Sequence, residues 1–381
     1  MKIRYFDHAA TTPVDKEVLE TMFPYFSERF GNPSSVYSIG RESKEAMNIA
    51  RMKIASILNC KTNEIYFTSG GTESDNLIIK GIAFANRKRG NHIITSKIEH
   101  PAVLNTCKFL ENFGFRVSYI DTDANGVIDL NQLERCITRK TILISIMFAN
   151  NEIGTIQPIK EIADIANRYG IFFHTDAVQA FGNVEIDVRK LNIGALSISG
   201  HKFYGPKGVG IAYINDKIPF MRMQDGGHQE GEKRSGTENI PGIIGIAKAA
   251  EIAQDSMIQY NKQLKYLSDY YLWEIGNRIP NIKINGHREK RLSGNTNICF
   301  AGVDGAKLLD RLDEIGICAS SGSACSAGLI APSHVLLAIG VPRRLAQGSL
   351  RVTFGRENTI EDVSYLVDNL EEIVGDLRNK R

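Results

Sequence analysis

The sequence predicts an α/β fold: a mostly parallel sheet in a large unit, followed by a smaller α+β unit. Three observations point to it. Short apolar runs alternate with amphipathic stretches through the first two thirds of the chain. A long helical stretch then runs from about Pro241 to Ile275, ahead of a polar, turn-rich segment, Gly276–Gly294, where a boundary is plausible. And 381 residues exceed one ordinary core, at roughly 150 residues per domain.

Taken in order, Glu64–Thr68, His92–Thr95, Phe115–Ile120, Ile142–Phe148, Ile171–His174, Ala195–Ser199 and Gly208–Ile214 read as strands, being short, apolar and rich in β-branched residues. Thr72–Arg87, Ala102–Asn112 and Ile159–Arg168 read as the intervening helices. Such alternation favours a sheet covered on both faces. In the long helix, Ile243, Ile246, Ala247, Ala250 and Ile252 fall near helical spacing. Beyond it, Asn297–Phe300 and Leu350–Phe354 read as strands, with a short segment at Ile317–Ser320 between them. Ala306–Ile315, Ser333–Ala338 and a terminal stretch from Thr359 read as helices.

Composition narrows the class of protein. Lys plus Arg is 46 and Asp plus Glu is 43, so the net charge is +3. That balance argues against a chain that coats nucleic acid or an acidic membrane. No apolar run approaches the ~20 residues of a membrane helix. Charges occupy Met1–Asp7 where a signal peptide needs an apolar stretch. Six cysteines without CxxC pairs or zinc-like spacing indicate free thiols in a reducing compartment, so a cytoplasmic protein is expected, with no metal.

In parallel sheets, ligands sit beyond the carboxyl ends of the strands, and there the chemistry-bearing residues gather. Lys202 follows a buried-looking strand among small residues, where desolvation favours the neutral, nucleophilic amine. Asp176 follows the Ile171–His174 strand, about one strand-plus-connection unit earlier. An amine for an aldehyde and an anion for a pyridine nitrogen together suit pyridoxal 5'-phosphate. Thr68-Ser-Gly-Gly71-Thr72 is a glycine turn into a helix, a phosphate cradle without the Walker ending. His100, at another strand end, suits stacking on a ring and moving protons. Asn151 follows a further strand. Each feature alone has an ordinary reading, as a turn lysine, a cap or a helix-start histidine; their convergence does not. Cys325, in Ser-Gly-Ser-Ala-Cys, reads as an accessible thiol, whereas Cys60, Cys107, Cys136, Cys299 and Cys318 read as packing residues. Arg351 suits bidentate binding of a substrate carboxylate.

Together with Asp7-His-Ala-Ala-Thr-Thr-Pro13, Phe30-Gly-Asn-Pro-Ser34, Glu99-His100, Arg234-Ser-Gly-Thr237 and Pro332-Ser-His-Val335, these motifs resemble the NifS/IscS-type cysteine desulfurases of the class V aminotransferase family. The resemblance spans roughly residues 4 to 375. It implies a type I pyridoxal-phosphate transferase fold with a seven-stranded sheet. The large domain would span 13–257, and 1–12 with 258–381 would form the small one. It implies that Lys202 holds the cofactor covalently, that Asp176 pairs with the ring nitrogen, that Gln179 contacts the ring oxygen and that His100 stacks on the ring. Gly71, Thr72, Ser199 and His201 would hold the phosphate, with Thr237 reaching the phosphate of a neighbouring subunit in a homodimer. Asn151, also a cofactor contact, and Arg351 would hold the substrate carboxylate, and Asn32 would help to orient it. The implied reaction converts L-cysteine to alanine: Lys202 removes the Cα proton, and Cys325, on a loop expected to move, takes the sulfur as a persulfide. The persulfide would pass to an iron–sulfur scaffold or a tRNA-thiolation enzyme. No direct contact with nucleic acid or membrane is implied. Lys202 and Asp176 fit an aminotransferase or a selenocysteine lyase equally well, and Cys325 discriminates against transamination. A non-catalytic sulfur relay is the alternative of a different class.

Overall fold

The structure, a computed structural model, describes residues 2–321 and 332–379. Cys325 lies outside the described residues.

A two-residue strand, β1 (Arg4–Tyr5), opens the chain and leads to α1 (Lys16–Met22), α2 (Pro24–Ser27) and α3 (Ser38–Leu58). The long α3 is a difference from the sequence expectation, which assigned nothing here. Its signal is present: Met47, Ala50, Ile54 and Leu58 recur at helical spacing and are buried, and Asn59 ends the helix in the left-handed conformation (φ 55°). Then come β2 (Ile65–Thr68), α4 (Gly71–Ala85), β3 (His92–Ser96), α5 (Pro101–Glu111), β4 (Arg116–Ile120), α6 (Leu130–Cys136), β5 (Thr141–Ser145), α7 (Ile159–Arg168), β6 (Phe172–Asp176), β7 (Ala195–Ser199) and β8 (Gly210–Ile214). These strands form a seven-stranded sheet in the order β2-β8-β7-β6-β5-β3-β4, with only β8 antiparallel to its neighbours. The expected α/β class and sheet are borne out. Residues 146–148 leave the strand earlier than their apolar run suggests. Ile146 and Phe148 still donate backbone N–H groups to His174 and Asp176, at 3.1 and 2.8 Å, so the run continues alongside β6.

The 39-residue α8 (Ile240–Arg278) joins two apolar cores. Its Ile243, Ile246 and Ala250 enter the core beneath the sheet, whereas Leu264, Leu267, Tyr271 and Ile275 enter a second core. Each such large apolar side chain contributes roughly 1.5–3 kcal/mol relative to exposure. The chain therefore crosses between cores inside a helix. The turn-rich 276–294 stretch lies within the second unit and contains β9 (Ile282–Ile284). That unit continues with β10 (Asn295–Phe300), α9 (Gly305–Glu314), β11 (Ile317–Cys318), α10 (His334–Ala338), α11 (Arg343–Ala346), β12 (Ser349–Thr353) and α12 (Ile360–Asn379). Its antiparallel sheet runs β12-β10-β9, and β1 pairs in parallel with β11. Among the described residues, no helix is long and apolar enough to cross a membrane.

Candidate active site

The carboxyl ends of β2, β3, β5, β6 and β7 open onto one cavity of about 250 Å³. Gly71, Thr72, His100, Asn151, Asp176, Gln179, Ser199, His201, Lys202 and Arg351 all line it. The structure thus brings together ten of the residues singled out by sequence. Asn32 and Thr237 are exposed and lie outside this lining.

Lys202 sits in a short turn just after β7. Its Nζ donates to the carbonyl oxygens of Ala9 and Ala10, both at 2.7 Å. Ala9 and Ala10 thereby form one wall of the cavity. Gln179 holds the same segment by donating Nε2 to Ala9 O at 2.9 Å. His201 Nδ1 is 3.1 Å from Thr11 Oγ1, and burial pushes the ring's pKa down to about 4.

Asp176 ends β6, and its Oδ1 accepts the Val178 N–H at 2.9 Å. Burial raises its pKa, opposed by the neighbouring His100, that N–H group and Lys202. A cation in the cavity would hold this carboxylate ionised. His100 is both things its sequence allowed. It is the N-cap of α5, with Nδ1 accepting the Ala102 N–H at 3.1 Å, and its ring faces the cavity. The neutral ring therefore carries its proton on Nε2. Burial pushes its pKa down, Asp176 pulls it back, and Lys202 and His334 push it further down.

The phosphate end is the N-terminus of α4, where Gly70 (φ 153°) makes the turn. A Cβ on Gly71 would lie 2.6 Å from Val178 Cγ2 and 3.5 Å from Ser199 Cβ, so only glycine leaves the turn open there. Unpaired N–H groups and the helix dipole favour a phosphate at this end. Arg234 clasps the first turn, donating Nε to Glu73 Oε1 at 2.7 Å, while Glu73 Oε2 accepts the Ser69 N–H at 2.8 Å. Glu73 and Arg234 were not singled out individually by sequence. A carboxylate in the first turn of a glycine-led helix was the signal available.

Opposite, Arg351 from β12 is fully buried. Nη2 donates to Asp7 Oδ1 at 2.7 Å and Nη1 to Asn151 O at 3.0 Å. Nε has no partner among the described residues, an orphaned donor in the cavity wall that suits a carboxylate. The Asp7 partner is the feature sequence reasoning missed, because 344 positions separate the two.

The family described as "Aminotransferase class-V" matches residues 4–366. The chain belongs to the class-V aminotransferase family. It is 54% identical over 378 residues to "Cysteine desulfurase IscS" of Methanosarcina thermophila, covering 99% of this chain and 93% of that protein. It is 50% identical over 372 residues to "Cysteine desulfurase IscS" of Clostridium botulinum strain Hall, covering 97% and 94%. Among solved structures, "NIFS-LIKE PROTEIN" superposes with a TM-score of 0.93 at 40% identity, covering 98% of this chain and all of that one. "SspA in complex with cysteine" does so with a TM-score of 0.81 at 39% identity, covering 92% and 98%. Class-V aminotransferases of this type depend on pyridoxal phosphate. The residues present fit that group: an open glycine cradle at a helix N-terminus, a buried carboxylate at a strand end, an amine, and a flat ring over the cavity.

Cys107 and Cys299 are buried, and Cys60, Cys136 and Cys318 are half-buried; burial pushes the Cys60 and Cys107 thiols up to about 12, which suits packing more than reaction. Among the described residues, no cluster of three or more His, Cys, Asp or Glu is placed to hold a metal.

Proposed function

We propose that this chain is a pyridoxal-phosphate-dependent cysteine desulfurase that converts L-cysteine to L-alanine and holds the sulfur on Cys325. The observation that carries the reading is the convergence of Lys202, Asp176, His100 and Arg351 on one cavity, in a chain half identical to proteins named for this activity.

Pyridoxal phosphate, held here, supplies an electron sink for the charge left when the substrate loses its Cα proton. Asp176 pairs with its ring nitrogen, Gln179 faces its ring oxygen, and the α4 N-terminus with Thr72, Ser199 and His201 takes its phosphate. The Arg351 Nε and the Asn151 segment orient the substrate carboxylate. Lys202 Nζ accepts the Cα proton, and the carbonyls of Ala9 and Ala10 fix where the ammonium rests afterwards. His100 Nε2 faces the cavity as a proton donor. The Cys325 thiolate then attacks the substrate sulfur. An S–S bond forms as the Cβ–S bond breaks, and carbon keeps that electron pair and takes up a proton to give alanine.

The stems of the Cys325 segment support its reach. Ser320 pairs with Arg351, and Ser321 O accepts from Ser349 Oγ at 2.7 Å. On the far side, Ser333 Oγ donates to Glu152, and His334 Nε2 is 3.0 Å from Glu99 O. Fully extended, the four residues from Ser321 to Cys325 span at most about 14 Å, and Cys325 itself lies outside the described residues.

The same reading assigns 13–257 to a large domain and 1–12 with 258–381 to a small one. It also makes the protein a homodimer. Thr237 is exposed and outside its own cavity, and Phe23, Phe26 and Phe30, close to one another in sequence, are 66%, 62% and 65% exposed, apolar surface suited to a second copy. The sulfur acceptor is a scaffold for iron–sulfur assembly or a tRNA-thiolation enzyme. A cytoplasmic location suits a thiol that must stay reduced.

The test is turnover of L-cysteine with a thiol reductant present to release the persulfide sulfur as sulfide, with alanine and sulfide measured. Wild-type protein releases both. Lys202→Ala loses the visible absorbance of the bound cofactor and all turnover. Cys325→Ala keeps the absorbance but loses sulfide release. Desulfurase turnover retained in Cys325→Ala would sink the persulfide step, and a protein that stays colourless with pyridoxal phosphate would sink the enzyme reading.

A further inference from the structure

A second acid stands in the wall of the same cavity. Asp75 lies in the first part of α4, is 1% exposed, and its Oδ1 has no hydrogen-bond partner among the described residues. No lysine or arginine among the described residues forms a salt bridge with it. The group that faces it is His174, whose Nε2 is 3.6 Å from Oδ1. That ring is already engaged on both sides, by Ser145 Oγ at Nδ1 (2.9 Å) and by Ser197 Oγ at Nε2 (3.0 Å). It is wholly buried, and burial pushes its pKa down to about 3, so it is a neutral ring and not a counter-ion.

The other charged groups around Asp75 are carboxyls: Asp176 most strongly, then Glu99, itself buried and pushed up to about 8. Lys202 and His100 act on Asp176. What favours an Asp75 anion is the hydrogen bond with Ser197 and, weakly, the helix dipole, whose end the cofactor phosphate would take. An unpaired buried charge costs more than a first-turn dipole returns.

The geometry points to Asp75 as a neutral, hydrogen-bond-donating acid that positions the buried Ser197–His174–Ser145 layer behind the cavity wall. Asp75 donates to Ser197 Oγ, Ser197 donates to His174 Nε2, and His174 Nδ1–H donates to Ser145 Oγ. This chain uses every donor once and leaves Asp176 as the single anion facing the ring nitrogen. A second anion beside Asp176 would instead hold the ring proton more tightly and set two buried carboxylates side by side. The role of Asp75 is thus to supply a hydrogen bond in place of a second charge.

The inference rests on reading the cavity as a pyridoxal phosphate site, and the experiment separates the two. Infrared spectra of protein labelled with ¹³C-aspartate report protonated aspartate directly, without any variant. The loaded wild type is expected to show a label-sensitive protonated-acid band that disappears in Asp75→Asn. Because an amide reproduces the neutral acid, Asp75→Asn is expected to keep the visible absorbance maximum and its pH titration unchanged. Absence of the protonated band in wild type overturns the proposal, as does a titration displaced by a full unit or more in Asp75→Asn. Failure of the cofactor reading appears separately, as no visible band when pyridoxal phosphate is added. The unloaded protein still decides on Asp75, because the buried pair is expected to hold a proton there too, and its absence overturns the inference.

Discussion

The Arg351 guanidinium donates to the Asp7 carboxylate at 2.7 Å, and this contact joins the first strand segment of the chain to one of its last strands. The pair fixes the plane of the fork and leaves Nε as the donor for a substrate carboxylate. Arg351→Lys removes the fork while keeping the charge, which is not conservative at such a site. The expected loss in kcat/KM is roughly 10- to 100-fold, matching a charged hydrogen bond of about 1.5–3 kcal/mol, and it appears mainly in KM. Asp7→Ala leaves Arg351 buried without its carboxylate and is expected to cost stability, on the order of 3 kcal/mol. Steady-state kinetics and denaturant melts check both. An unchanged KM in Arg351→Lys would contradict the assignment.

Gly71→Ala places a methyl 2.6 Å from Val178 Cγ2, in the cradle for the phosphate. The overpacking is expected to cost about 1–3 kcal/mol and to weaken cofactor binding. Titrating the unloaded variant with pyridoxal phosphate measures the effect. Affinity equal to wild type would show that Val178 moves freely and that this turn does not hold the phosphate.

His100 does two jobs that substitution can separate. His100→Asn keeps a good N-cap for α5 and loses the ring, so stability is expected to hold while turnover falls. His100→Phe keeps a stacking ring and loses the cap, with an expected loss of about 0.5–2 kcal/mol in stability. Thermal melting should therefore separate the two variants, while turnover falls in both because neither keeps the Nε2 proton donor.

The cofactor-free protein is expected to be most stable near pH 6.5. His174 is held down to about 3, and His8 and His201 to about 4, all by burial. Their unfolded forms protonate near 6.5, so as pH falls from 6.5 toward 4 the unfolded state binds more protons and stability is lost. Glu99 has the opposite sign. Burial raises it to about 8, so the folded state holds the extra proton, and stability is lost as pH rises from about 4.5 to 8. Asp176 and Asp75 are raised by burial too and add to that limb. Burial lowers His92 and His100 as well, so five histidines oppose the three carboxyls on the acid side, and the carboxyls act alone above 6.5. Each group contributes at most about 1.4 kcal/mol per pH unit. Glu99→Gln should flatten the alkaline limb in urea melts; a limb of unchanged slope would show that Glu99 is ionised in the folded protein.

The strand ends were legible because parallel strands are buried on both faces and read as apolar runs whose last residues must turn outward. Asp176, Ser199 and Lys202 follow such runs directly. The long α3 was overlooked because its apolar positions are thinly spread among charged and polar ones along one face. Glu73–Arg234, Asp7–Arg351 and the Asp75–Ser197–His174 layer were not legible as pairs. Each joins residues far apart in the chain, and no local pattern encodes which remote partner a polar side chain meets.

By itself, the sequence determined the α/β class, the order of the sheet elements, the amine, the acid, the ring and the glycine cradle, because periodicity and turn chemistry are local. Only the tertiary structure decided that Ala9 and Ala10 meet Lys202, that Arg351 is locked by Asp7, and that a second acid lines the cavity with Asp176. Those outcomes depend on where burial removes water, since desolvation and the partner left in reach set the charge and direction of every side chain in the cavity.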